Sequence, residues 1–218
     1  KSTIGGNIAV LKENGLLVNK SGKRVVNERA SNHDILDVLM REQDQTLYIL
    51  LDQEHFEIFR REVAEGGISS QDIDRWLESN GERTPYFYHA ESLEKLAELA
   101  NMPETSLKET VDRYNNFVRD GEDKDFYRES RFLQKEVGEG PYYLVEQKPR
   151  FATTMGGLVV NDTLEVVNKK GYVINGLYAA GEVVGGVMGT DSPSGANNAW
   201  ALTSGKIAAE SIEKKYVK

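Results

Sequence analysis

The sequence of 218 residues predicts an α+β protein in two parts, and two observations support that fold class. Residues 1–150 alternate short apolar runs, which are typical of strands, with amphipathic stretches at helical spacing. Residues 151–218 are rich in glycine and in short apolar runs, and they end in one helix of small residues. The boundary is expected near Pro149, at the end of a stretch that begins at Pro141.

The first part opens with a predicted β-meander. Residues 7–11 and 16–19 flank Asn14-Gly15, a dipeptide that favours a tight hairpin because both residues tolerate positive φ. A second turn at Ser21-Gly22 leads to a strand over residues 23–27. The apolar run TLYILL at residues 46–51 fits either a buried strand or a segment of buried helix.

Helices of the first part are predicted from capping residues and apolar stripes. Residues 69–72 resemble a capping box, and the helix that follows ends before Gly81. A second helix carries an apolar stripe over residues 93–100. Residues 106–109 form another capping box, and the helix that begins there is closed by Gly121.

The second part is expected to contain strands and then a helix. GGLVV at residues 156–160 is a short apolar strand, and residues 163–168 and 171–174 form a hairpin. LYAAGE at residues 177–182 is a strand that runs into a glycine turn. The closing helix is predicted over residues 199–214, with Trp200 and Ile212 on its inner side, and its start is crowded with residues that cap helices.

Composition excludes several classes of function. The net charge is −8 and no dense basic patch occurs, so nucleic acid is a poor partner. No run of about 18 apolar residues predicts a membrane span. Without cysteine there is no disulfide, thiol nucleophile or cysteine-based zinc site, and the three histidines are too dispersed to predict a metal site. His55 and His89 are expected at the surface.

Three glycine-rich segments between Thr153 and Asn198 carry the chemistry that the sequence can indicate. Paired glycines at Gly156-Gly157 allow backbone to approach a flat ligand without a Cβ in between. Glu182, just after a strand, can accept hydrogen bonds from sugar-like hydroxyls. A helix N-terminus after Ser194 presents unpaired N–H groups and partial positive charge. Each feature alone also occurs as ordinary structure, and their fixed order favours a ligand site.

The chain resembles the flavoprotein subunits of the fumarate reductase and succinate dehydrogenase family, especially the soluble fumarate reductase and flavocytochrome c branch. GKRVVNE at residues 22–28 is similar to the family's G-K-R-F-V-N-E, and TVDRYNNF at residues 110–117 is similar to T-V-x-x-Y-N-x-F. The segment from Gly121 to DFYR at residues 125–128 is similar to G-x-D-x-D-F-G-R. TMGGL and GLYAAGEVVGG, in the second part, match almost letter for letter.

The resemblance implies that residues 1–150 are a capping domain, built of a β-meander and helices, that closes over a small-molecule substrate. Residues 151–218 would be the last segment of a Rossmann-like FAD-binding domain, its C-terminal β-hairpin and helix. Glu182 would bind the ribityl chain, the start of the last helix would face the isoalloxazine ring, and the T-M-G-G glycines would line its edge. The implied cofactor-binding residues are Met155, Gly156, Gly157, Gly181, Glu182, Ser194, Gly195, Ala196, Asn197 and Asn198.

Two departures from the family pattern shape the functional prediction. No G-x-G-x-x-G follows a strand, so the chain is expected to be a fragment that lacks the N-terminal half of the FAD domain, inactive alone and without bound FAD. The family's substrate-binding histidine and arginines are replaced at Thr153, Ser192 and residues 31–34. A dicarboxylate would lose its strongest charge-assisted bonds there, so the substrate is expected not to be fumarate. Thr153, Ser192 and His33 are weak catalytic candidates.

The predicted function is therefore hydride transfer between flavin and an activated carbon–carbon double bond, by an FAD-dependent oxidoreductase of which this chain is part. The alternative is a non-catalytic cap or interaction module without cofactor. An electron-donor domain or protein is a possible partner, and exposed sheet edges could pair two copies into a homodimer. Location stays open, with the cytoplasm favoured. Arg128 is expected in an ion pair within the cap, and Trp76 and Trp200 are expected in the core.

Overall fold

The computed structural model describes residues 15–65, 68–149, 154–189 and 195–217. The chain divides into two compact units, Lys1–Pro149 and Arg150–Lys218, called unit 1 and unit 2 below. The first strand of the predicted meander, at residues 7–11, and its turn residue Asn14 lie outside the described residues.

Unit 1 is built on a four-stranded sheet in which every neighbouring pair is antiparallel. The strand order is β1-β2-β4-β3, so the last strand of unit 1 along the chain lies between the second and the third. The run at residues 46–51 is a strand, and the alternative of a buried helix is wrong. The strands are β1 (Leu16–Val18), β2 (Leu47–Leu51), β3 (Phe87–Ala90) and β4 (Tyr142–Gln147).

Residues 23–27 do not form the third strand of a meander. They make one bridge, between Val18 and Arg24, and β1 pairs instead with β2. Asn19 explains the change, because its side-chain oxygen accepts the N–H groups of Ser21 and Lys23 and folds the chain into a compact turn. Beyond the turn, side chains at Arg24 and Glu28 enter a buried charge network instead of a sheet.

Helices cover both faces of the sheet, which is why β2 is apolar along its whole length. Ile49 and Val145 lie in one core with Phe56 and Phe59. Leu50 and Leu144 lie in a second core with Leu107. The helices of the first face are α1 (Asn32–Arg41), α2 (Gln53–Glu65) and α3 (Ser70–Ser79), and those of the second face are α4 (Leu93–Leu99) and α5 (Ser106–Asp120).

The predicted helix caps are correct in part. Ser69 and Asp72 form the expected capping box, and Gly121 closes α5 with φ +73°. The second capping box is wrong, because Thr105 is the N-cap of α5 and Ser106 is its first helical residue. Ser106 is buried and lies against Gly22. A Cβ placed on Gly22 would be only 2.1 Å from the Ser106 Oγ.

Four buried charged residues connect the segments that carried the family resemblance. Arg24 donates to both carboxylate oxygens of Glu28, at 2.8 Å each, and to Asp123 at 2.8 Å. Arg128 also pairs with Glu28, at 3.4 Å, so its predicted ion pair is confirmed. Burial alone would raise the pKa of Asp123, but the Arg24 guanidinium and two backbone N–H groups outweigh it and lower that pKa.

The histidines divide between surface and interior. The prediction that His55 lies at the surface is wrong, since only 4% of it is exposed, and His89 is half-buried with Nε2 3.1 Å from the carbonyl of Leu77. His55 lies three residues after Asp52, which directly follows the buried β2, so the first turn of α2 stays close to the sheet. Trp76 packs against the first core, as predicted.

Unit 2 contains an antiparallel hairpin and a long helix. The hairpin pairs β5 (Glu165–Val167) with β6 (Val173–Tyr178), as predicted, and helix α6 spans Ala196–Tyr216. The separate strand predicted at residues 177–182 is wrong, because its first two residues end β6 and Gly181–Val183 forms a 3₁₀ turn. GGLVV is not a strand, since it makes only two isolated bridges, Leu158 with Val184 and Val160 with Val166. Trp200 packs against a small core, as predicted, whereas Ile212 on the same helix is exposed.

Large apolar side chains lie exposed along unit 2. Every residue of β6 before Tyr178 is exposed, and α6 exposes Leu202 to 78%. Solvent-exposed apolar residues concentrated in this way are typical of a surface that packs against another structure. Exposed apolar residues of unit 2 are Leu158, Val159, Tyr172, Val173, Ile174, Leu177, Val183, Val187, Leu202, Ile212, Tyr216 and Val217. Within the described ranges, no helix is long and apolar enough to cross a membrane.

Candidate functional site

Two glycine-rich segments of unit 2 run side by side. Leu158 donates its N–H to the carbonyl of Val183 at 2.8 Å, and Gly185 donates to the carbonyl of Leu158 at 3.0 Å. Gly186 then donates to the carbonyl of Met155 at 3.2 Å. The T-M-G-G-L and E-V-V-G-G segments, far apart in sequence, therefore form one backbone platform.

Two glycines of this platform are required by the close approach of backbone to backbone. A Cβ at Gly157 would lie 2.3 Å from the Val183 carbonyl oxygen, and a Cβ at Gly185 would lie 2.4 Å from the Gly157 nitrogen. Gly156 and Gly186 differ, because no heavy atom of the described chain lies within 4 Å of a Cβ placed on either. The sequence predicted open backbone at both members of the Gly156-Gly157 pair, and the structure leaves it open at Gly156.

Glu182 joins the platform to the next turn. Its Oε1 accepts the N–H of Thr154 at 2.9 Å, so the carboxylate anchors the start of the T-M-G-G segment. The side chain is exposed and lies in a short 3₁₀ turn, Gly181–Val183. A carboxylate can accept about four hydrogen bonds, so this contact leaves capacity for hydroxyl groups of a ligand.

Gly181 fixes that turn onto helix α6. Its N–H donates to Ser204 Oγ at 2.9 Å, and its carbonyl accepts from Trp200 Nε1 at 3.0 Å. Ser204 is fully buried and also donates to the Trp200 carbonyl, at 2.6 Å. The sequence reasoning missed Ser204, and the small Ser204-Gly205 pair inside an otherwise regular helix was the signal that could have indicated a close approach.

The N-terminus of α6 lies next along the chain. Gly195 is the N-cap, with φ +82°, and Ala196, Asn197 and Asn198 form the first turn. A glycine cap offers no side-chain oxygen to this turn, and the helix start carries the partial positive charge of the helix dipole. The predicted residues Ser192 and Ser194 lie outside the described residues.

The weak catalytic candidates are placed only in part. His33 lies in the first turn of α1, with its side chain 60% exposed and Nδ1 3.8 Å from an Asp37 oxygen. Its surroundings are those of a solvated helix start, where Ser31 caps the N–H of Asp34. Thr153 and Ser192 fall in the undescribed part of the chain. Among the described residues, no cluster of histidine and acidic side chains could hold a metal ion.

Comparison with known proteins gives concordant matches. The family model of the FAD binding domain matches residues 3–198. The chain is 34% identical over 206 residues to a fumarate reductase (cytochrome) of Shewanella frigidimarina, covering 94% of this chain and 33% of the relative. It is 33% identical over 204 residues to an NADH:acrylate oxidoreductase of Vibrio harveyi, covering 94% of this chain and 19% of that protein.

A solved structure matches the fold as well. The open conformation of a flavocytochrome c3 fumarate reductase has a TM-score of 0.75 and 27% identity, over 97% of this chain and 34% of that one. The chain thus spans about a third of the length of that structure and of the fumarate reductase relative. With a family model that covers most of its residues, the chain belongs to the FAD-binding domain family, beside the fumarate reductase flavoproteins.

Proposed function

We propose that this chain forms the cap and the last segment of the FAD domain in an FAD-dependent oxidoreductase. Residues 1–150 would close over the substrate, and residues 151–218 would complete the flavin site. One observation carries the assignment of the second part: open glycine backbone, an exposed carboxylate and a glycine-capped helix start are held together by hydrogen bonds in unit 2.

These residues fit a flavin by their chemistry. Gly156 and Gly186 leave room for a flat ring above backbone, and Glu182 offers an acceptor for ribityl hydroxyls. The α6 N-terminus places partial positive charge where an anionic reduced ring would be favoured. Flavin, when bound, supplies hydride chemistry at a carbon–carbon double bond, and these residues bind and orient it.

The exposed apolar face of unit 2 supports the same proposal. A hairpin and one helix cannot bury side chains such as Val173, Leu177 and Leu202 by themselves. An FAD-binding domain with its parallel strands in place would cover apolar residues of this kind. The chain is accordingly proposed to function as part of a longer flavoprotein, since it covers 33% of the fumarate reductase relative and 34% of the matched structure.

The substrate is proposed to carry less negative charge than fumarate. Residues 31–34, where the resemblance places an arginine, hold Ser31, Asn32, His33 and Asp34. A monocarboxylate needs fewer cationic partners than a dicarboxylate, because it presents one anionic group to be paired. The relative named for acrylate oxidoreduction is similar to this chain to nearly the same degree as the one named for fumarate reduction, which is consistent with this choice.

The test uses the complete flavoprotein that contains this chain. We expect flavin absorbance in the purified protein and faster oxidation of a reduced viologen dye with acrylate than with fumarate. Faster fumarate reduction would reject the proposed substrate class. A protein without flavin absorbance after reconstitution with FAD would reject the oxidoreductase and favour a non-catalytic cap module.

A paired substitution tests the site. Glu182→Ala should weaken FAD binding about tenfold, which corresponds to the loss of one hydrogen bond to a charged group. Asp162→Ala removes another exposed carboxylate of unit 2 and should leave FAD binding unchanged. Equal FAD affinity in both variants, measured by fluorescence titration of the apoprotein, would exclude Glu182 from the site.

A further inference from the structure

Unit 1 contains a cavity that the proposed flavin site does not use. Its volume is about 550 Å³, which is within the range of small-molecule sites. Its polar lining includes His55, Arg131 and Lys135, and its apolar lining includes Leu16, Phe132 and Val137. No carboxylate is among the described residues that line it. The cavity therefore combines cationic or ionisable groups with an apolar wall.

His55 is the buried group of this cavity, and its ring lies beside a carboxylate. Nδ1 of His55 lies 2.7 Å from Oδ1 of Asp52, and both residues are more than nine-tenths buried. Asp52 is itself fixed, because Oδ1 accepts the N–H of His55 at 2.8 Å and Oδ2 accepts that of Gly138 at 2.6 Å. Burial alone would raise the pKa of Asp52, but its contacts with His55 and Gly138 lower it, so the carboxylate stays charged.

The second ring nitrogen of His55, Nε2, is the one that does not face Asp52. Among the described residues, no hydrogen bond to Nε2 is formed, although the residue is 4% exposed and lines the cavity. With a proton on Nε2, the ring is a hydrogen-bond donor toward the cavity, which an anionic acceptor can meet.

Two cations stand at the exposed side of the same cavity. Arg131 pairs with Glu129 at 2.8 Å and Lys135 pairs with Glu54, and all four side chains are at least 57% exposed. Ion pairs this exposed contribute about 0–1 kcal/mol, so either cation can turn to a ligand at little cost. Leu16, Phe132 and Val137 provide an apolar surface for the rest of the ligand.

We propose that this cavity binds a small organic carboxylate, with its carboxylate at His55 and the Arg131 and Lys135 side chains and its apolar body against Phe132. The site uses residues of unit 1, and it goes beyond the proposed flavin function. Binding would not require FAD, so its test is independent of the oxidoreductase proposal.

The experiment titrates the 218-residue chain with sodium propionate and records long-range ¹H–¹⁵N spectra of the histidine rings. We expect the His55 ring signals to shift saturably, while those of exposed His33 and of His89 stay constant. Inorganic phosphate, an anion without an apolar body, should bind at least threefold more weakly. An equal response to phosphate, or no saturable shift at His55, would overturn the proposal.

Surface variants keep the test valid if His55→Asn fails to fold. The double variant Arg131→Gln with Lys135→Gln should weaken propionate binding three- to tenfold. Arg119→Gln is the matched control, because Arg119 is similarly exposed, is paired with Glu136 at 2.8 Å and is not part of the lining. Unchanged affinity in the double variant, or an equal loss in the control, would also overturn the proposal.

Discussion

Tyr127 shows how backbone conformation at one residue explains a family motif. Its φ is +55°, in the left-handed region, and 80% of the residue is exposed. An L-residue other than glycine pays about 1–2 kcal/mol for that conformation. Residues 125–128 read DFYR where the resembled pattern has D-F-G-R, so the backbone here keeps the shape that a glycine adopts without strain.

Replacing Tyr127 by glycine should therefore stabilise unit 1. We expect Tyr127→Gly to raise the free energy of unfolding by about 0.5–1 kcal/mol. Relief of backbone strain stabilises the folded state, and the greater conformational entropy of glycine in the unfolded chain offsets part of that gain. Urea denaturation measures the change. Glu122→Gly, at an exposed loop residue without positive φ, should lower stability, and a loss of stability in both variants would contradict the explanation.

At the scale of elements, the platform of unit 2 depends on two chain segments that lie within backbone contact. At Gly157 and at Gly185, a Cβ would clash with the backbone of the other segment. The neighbouring Gly156 is open, so these glycines have different roles although they stand in one sequence motif. The structural role of Gly157 and the proposed ligand-binding role of Gly156 can therefore be separated by substitution.

Gly157→Ala should destabilise the platform, whereas Gly156→Ala should not. A Cβ 2.3 Å from the Val183 oxygen forces the segments apart and weakens the bond from Leu158 N–H, at an expected cost of about 1–3 kcal/mol. Thermal unfolding of the complete flavoprotein measures this loss. Gly156→Ala is expected to keep the melting temperature and to reduce FAD affinity, and the reverse result would contradict the assignment.

Local sequence signals predicted the elements that depend on local contacts. The Ser69 cap, the hairpin of β5 and β6 and the Gly121 helix end followed from neighbouring residues, whereas the run that forms β2 fitted either a strand or a buried helix. Strands β3 and β4 were not predicted, because their apolar runs are short and their structure depends on pairing with distant strands. The capping-box pattern at Ser106 failed because tertiary contact with Gly22 turned its side chain inward.

The candidate site shows the same limit. Glycines and an acidic residue were predicted as residue types from the motifs, and their roles as flavin ligands stay predictions. Which glycine meets which backbone segment depends on the approach of residues 155–158 to residues 183–186, and no sequence pattern reports it. The burial of His55 was missed because a histidine on a helix does not indicate which face meets the sheet.

For unit 1 as a whole, a buried charge network holds together segments about 100 residues apart. Glu28 connects Arg24 with Arg128, and Asp123 completes the network. Buried ion pairs lose much of their stabilisation to desolvation, but removing one partner leaves another charge without compensation. The network therefore makes the fold sensitive to the protonation of its carboxylates.

Asp123→Asn should destabilise unit 1 by about 3 kcal/mol near neutral pH. Because the pKa of Asp123 is lowered on folding, its stabilisation is present above its unfolded value of about 3.9 and is lost as pH falls through the folded pKa. The stability difference from the parent chain should thus shrink in acid below about pH 4, as measured by urea denaturation across pH. Asp112→Asn, which breaks the exposed pair with Lys108, should cost less than 1 kcal/mol.

The position of β4 has a consequence for biosynthesis. Tyr142–Gln147 is the final strand of unit 1 to leave the ribosome, yet β2 and β3 both pair with it. A nascent chain that stops before Tyr142 would carry two strands with unsatisfied edges, one of them without any neighbour in the sheet. Such edges recruit other chains. Premature termination in this gene would thus yield polypeptides prone to aggregate, and expression trials should retain the strand through Gln147.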